Sequence, residues 1–175
     1  AEWGLWLGRP SLSGWVWDIV RLVEALKMFG GVERGIHLIG IESGGVPVIG
    51  AGVALKQGMG GSAMETGGLK SLTVVRGLGT YVTAVPYQKE FLGIMVPGIL
   101  RKSGDVADWL RGMGPLPLTL AGMRGPGGEG LSQEESEALW RGLREAYAGS
   151  GQSAQLVIGK GLTSEEIVSR LSAIG

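Results

Sequence analysis

The chain predicts an α/β domain with a parallel sheet of about four strands and helices on both faces. Three observations carry that expectation. Short apolar runs such as His37-Leu38-Ile39-Gly40-Ile41 and Gln155-Leu156-Val157-Ile158 are continuous rather than alternating, as in strands buried on both sides. Between them lie segments with apolar residues at helical spacing. The 34 glycines follow no collagen period and form no low-complexity block, so they read as tight turns between elements. At 175 residues the chain suits one domain, and residues 1–175 are taken as one.

In order, Val16, Ile19, Val20, Val23 and Leu26 place a helix from about Trp15 to Met28, with Ser11 or Ser13 available as its cap. Gly30 and Gly31 end it, and the run His37 to Ile41 forms the first strand. After Glu42-Ser43-Gly44-Gly45, Val46 to Gln57 is apolar on most faces and predicts a buried helix. Gly58 to Gly68 is a loop, and Leu72-Thr73-Val74-Val75 is a β-branched second strand. Pro86 and Pro97 interrupt the stretch Tyr81 to Ser103, which reads as irregular with one helical turn. Asp105 to Met113 is a short helix with Val106, Trp109 and Leu110 inward, its start capped by Asp105 and Asp108. Leu116 to Leu120 is the third strand, and Met123 to Gly130 a loop. Ser132 and Glu135 have capping-box spacing ahead of a helix that runs to Gly149. The fourth strand, Gln155 to Ile158, leads to a helix capped by Thr163 or Ser164 and carrying Ile167, Leu171 and Ile174.

Composition narrows the function. Lys plus Arg and Asp plus Glu are 16 each, so no basic excess exists to hold nucleic acid or an anionic membrane. No cysteine and a single histidine, His37, exclude disulfides, thiolate chemistry and Cys- or His-rich metal sites, and no cofactor is expected. No run reaches membrane-spanning length, and the first residues lack the charged-then-apolar order of a signal peptide, so the chain as given is expected to be soluble, its compartment unassigned. Gly58-Met59-Gly60-Gly61-Ser62-Ala63 follows a helix rather than a strand, which argues against a dinucleotide fingerprint.

The informative spot is Gly40-Ile41-Glu42-Ser43-Gly44-Gly45. A serine between a buried strand and a helix, among residues without bulk, suits a nucleophile elbow, which holds the hydroxyl above the sheet. Ser43 is then the candidate nucleophile and the Gly44 amide the candidate oxyanion donor at a helix N-terminus. The strict pattern would have glycine where this chain has Ile41. A turn that simply joins strand to helix uses the same residues.

Leu7-Gly8-Arg9-Pro10, Trp17-Asp18-Ile19-Val20-Arg21, Val32-Glu33-Arg34-Gly35-Ile36, Val96-Pro97-Gly98-Ile99-Leu100, Asp105-Val106-Ala107-Asp108, Pro115-Leu116-Pro117-Leu118 and Gly130-Leu131-Ser132 follow one another in an order and spacing that covers nearly the whole chain. In that order they resemble α/β-hydrolases of the acetyl xylan esterase-like and prolyl-oligopeptidase-like group. The resemblance is to the C-terminal half of that fold. It implies a Ser–Asp–His triad acting on a small ester or an acetylated carbohydrate, with the acid after the third strand here and the histidine after the fourth.

The chain departs from that pattern at both later places. The loop Met123 to Glu129 offers only Glu129, a weak candidate acid, and Gly159-Lys160-Gly161 stands where the base would be. His37 begins the strand whose far end carries Ser43, about 20 Å away, and is assigned a structural role. A serine without a base is slow, so two functions stay open: a carboxylic-ester hydrolase relative, or a noncatalytic hydrolase-like module acting in binding or assembly. Without the earlier strands of the hydrolase sheet, the strand His37 to Ile41 becomes an apolar edge. That edge, with Trp3, Trp6, Trp15 and Trp17, is expected to pair with a second copy or another chain.

Overall fold

The computed structural model of the chain describes residues 8–29, 35–58 and 68–174. Its elements are α1 (Ser11–Met28), β1 (Ile36–Ile41), α2 (Gly45–Lys56), β2 (Leu69–Val75), α3 (Ile99–Ser103), α4 (Val106–Gly112), β3 (Leu118–Ala121), α5 (Gln133–Gly149), β4 (Leu156–Gly159) and α6 (Ser164–Ile174). The four strands pair in parallel in the order β1-β2-β3-β4, so the expected α/β fold with a parallel sheet is the fold of the chain.

Because the strand order steps in one direction, right-handed crossovers set the connecting helices on one face. There α1 packs on α2, α2 on α4 and α4 on α5, a row running beside the strands. Leu38 and Gly40 of β1, Leu72 and Val74 of β2, and Leu118 and Leu120 of β3 are in register on this face. Their leucines and Val74 share one core with Val20 and Val23 of α1, Ile49 of α2, Leu110 of α4 and Trp140 of α5. The other face has less cover. The helix α6 touches β2 there and buries none of its side chains fully, and Ile39 and Ile41 of β1 remain 41% and 54% exposed.

Local chemistry explains the boundaries. The helix α1 starts at Ser11 behind Pro10, and the Ser13 hydroxyl donates to the Pro10 carbonyl at 2.7 Å instead of capping an amide. Ser132 and Glu135 form the predicted capping box of α5, and Asp105 with Asp108 forms another at α4. Thr163 and Glu166 exchange the same two bonds at α6. Those bonds hold the Glu135 and Glu166 carboxyls below their ordinary range. Trp109 tilts against Tyr81, with 6.0 Å between ring centroids, and donates to the Ser103 carbonyl. No described helix is long and apolar enough to cross a membrane.

Candidate functional site

The turn after β1 is tight. Glu42–Gly44 make one 3₁₀ turn, and α2 begins at the next residue, whose N–H donates to the Glu42 carbonyl. Such a turn needs glycine at two places. A Cβ on Gly40 would stand 2.7 Å from both the Gly44 carbonyl oxygen and the Gly45 Cα, and one on Gly45 would stand 2.7 Å from Val74 Cγ1.

The residue that bears the left-handed conformation is Glu42, at φ 53°. A non-glycine residue held there stores about 1–2 kcal/mol of strain. Ser43 follows as the middle residue of the 3₁₀ turn, half-buried, and its hydroxyl makes no hydrogen bond among the described residues. Gly44, the candidate oxyanion amide, has an ordinary helical φ of −72°. The strained position of an elbow is therefore held by Glu42, one residue ahead of Ser43. The signal for this is in the sequence: Gly40 and Gly44 stand symmetrically two residues either side of Glu42, which satisfies the spacing that Ser43 leaves unmet at Ile41.

Glu42 belongs to a row. Ile41, Val75, Ala121 and Gly159 are in register, so Glu42, Arg76, Gly122 and Lys160 follow them along the carboxyl edge of the sheet. Arg76 and Gly122 are also left-handed, at φ 54° and 58°. Beyond this kink the chain after β2 pairs again with the chain after β3, Leu78 opposite Arg124. The Arg76 Nη2 lies 3.0 Å from the Glu42 Oε1, and both side chains are about half exposed. An ion pair so open to water contributes at most about 1 kcal/mol, but it occupies the carboxylate at the elbow.

The other expected members do not converge on Ser43. Glu129 is exposed, its carbonyl accepts from the Gly125 N–H at 2.8 Å, and its carboxylate folds over Gly125 and Gly127 of its own loop. The nearby cation, Arg124, pairs with Glu90 at 3.1 Å. Lys160 is exposed and three strands from Glu42, about 14 Å at the usual strand spacing. His37 lies at the opposite end of β1, its Nδ1 2.7 Å from the Oγ of buried Ser71, which fits the structural role expected of it. Trp3 and Trp6 lie outside the described residues. Trp15 and Trp17, two apart on α1, face different ways: Trp15 meets Gly93, and the Arg21 guanidinium sits 5.6 Å over Trp17.

A cavity of about 520 Å³ opens at the carboxyl ends of β3 and β4, against α5. Its walls include Trp140, Arg144 and Lys160. No protein-family model, curated protein or solved structure matches the chain. Likeness to hydrolases therefore rests on the motifs quoted above.

Proposed function

We propose that the chain is a noncatalytic hydrolase-like module that acts by binding and assembly. The observation that carries this reading is Glu42 in the strained position of the elbow, ion-paired to Arg76, with Ser43 displaced from it. A carboxylate tied to a guanidinium is a poor base and a poor nucleophile, and Ser43 has no base within hydrogen-bonding reach among the described residues. A fluorophosphonate probe followed by peptide mapping tests it. The expected result is no adduct at Ser43 under conditions that fully label a control serine hydrolase. Labelling confined to Ser43, and lost in Ser43→Ala, would restore the ester-hydrolase reading.

The assembly partner we propose is a second copy of this chain. Among the described residues no strand pairs with the outer side of β1, and no charge or proline interrupts it between Ile36 and Ile41. The row of helices sets α1 at that same end of the sheet, where Trp15, Leu22, Leu26 and Phe29 form an exposed stripe beside the buried Leu12, Val20 and Val23. A two-fold axis beside β1 would pair the strand antiparallel with its copy and bring the two α1 stripes together, a self-complementary contact. Light scattering at tens of micromolar is expected to give twice the 18.2 kDa chain mass, and Ile39→Lys with Ile41→Lys to give the monomer. A monodisperse wild-type monomer would overturn the proposal.

A further inference from the structure

The cavity of about 520 Å³ lies beyond the carboxyl ends of β3 and β4, against α5. Its lining is two-sided. Met123, Leu131, Trp140 and Ile158 supply an apolar floor, Met123 and Trp140 buried, the others partly so. Arg144 and Lys160 supply cations, and neither enters an ion pair among the described residues. The one carboxylate in the lining, Glu137, accepts from the Gln133 amide at 2.9 Å, and the two cations outnumber it. The site thus has positive charge to spare beside an oily surface. Gly130 and Gly159 open the walls further, since a Cβ at either would meet no atom within 4 Å.

We propose that this cavity binds a small carboxylate with an apolar body, its head held by Arg144 and Lys160 and its body on Leu131 and Ile158. Short-chain fatty and aromatic acids have that chemistry, and their size suits the volume. The site stands apart from Glu42 and Ser43, so the inference holds whether or not Ser43 reacts.

Hexanoate is the probe, with the Trp140 indole resonance followed by NMR on the intact chain and hexanamide as the uncharged control. The expected result is a saturable shift with a Kd of about 1 mM or tighter, as a ligand of this size can reach. Hexanamide is expected to bind at least tenfold more weakly. The exposed pair of substitutions Arg144→Gln with Lys160→Gln is expected to weaken hexanoate at least tenfold, and Gly159→Leu, which fills the open wall, to remove binding. Absence of a saturable shift would overturn the proposal. So would equal affinity for hexanamide, or hexanoate binding unchanged in the charge variant. Should Gly159→Leu fail to fold, the charge variant decides alone, because both of its side chains are solvent-exposed.

Discussion

Gly40→Ala is expected to cost about 3 kcal/mol of stability, the upper end of what one added methyl does in a packed interior. Most overpacked side chains find relief by changing rotamer. Here the new Cβ would lie 2.7 Å from the Gly44 carbonyl oxygen and from the Gly45 Cα, which are backbone atoms of the turn and of the first residue of α2. The clash is relieved only if the turn opens, and opening it would draw α2 away from β1 and β2, on which it packs. Gly44→Ala in the same turn supplies the control. A Cβ there meets nothing within 4 Å, and its φ of −72° is one that alanine adopts freely, so its stability should stay within about 0.5 kcal/mol of wild type. Urea denaturation of the two variants checks both expectations. A neutral Gly40→Ala, or equal losses in both, would mean that the turn is not closed as described.

The element order was legible because the strands and helices obey opposite rules. The strands are apolar on successive residues and the helices carry apolar residues at i, i+3 and i+4, so Leu38 to Ile41 and Leu139 to Tyr147 cannot be confused. Capping chemistry made the starts of α4, α5 and α6 readable to within a residue. What sequence could not supply was the frame of the elbow. Two residues, Glu42 and Ser43, stand between the same glycines, and chemical expectation favoured the hydroxyl over the symmetric spacing. Deciding between them takes a backbone angle, which no side-chain identity reports. The cavity was invisible for a different reason. Trp140 and Arg144 are one helical turn apart on α5, and only the position of β4 brings Lys160 into the same cavity wall. The place of Lys160 in the row of charges depends on a register that only the folded sheet defines.

Asp105→Ala is expected to lose about 3 kcal/mol and to release the chain that follows β2. Its carboxylate accepts from the Val106 N–H at 2.8 Å as the α4 cap, from the Tyr81 N–H at 2.8 Å and from the Thr80 hydroxyl. Each bond to a charged acceptor contributes about 1.5–3 kcal/mol, less when several share one group, and loss of a cap alone costs about 1 kcal/mol. The substitution also leaves donors near Tyr81 unpaired, and Tyr81 anchors its surroundings: its hydroxyl donates to the Ile94 carbonyl at 2.8 Å, and its own carbonyl accepts from the Tyr87 hydroxyl at 2.6 Å. Burial, then the neighbouring Tyr87 and Asp105, push the Tyr81 phenol well above its ordinary range. Asp108→Ala separates capping from anchoring. Asp108 serves the same helix start, accepting from the Asp105 N–H at 2.9 Å, but its other partner is the exposed Arg111 at 2.7 Å. Its loss should cost about 1 kcal/mol or less. Hydrogen exchange localises the difference: Asp105→Ala should raise exchange through Tyr81 to Ile94, whereas Asp108→Ala should raise it only in the first turn of α4. Equal effects from the two variants would reduce Asp105 to a helix cap.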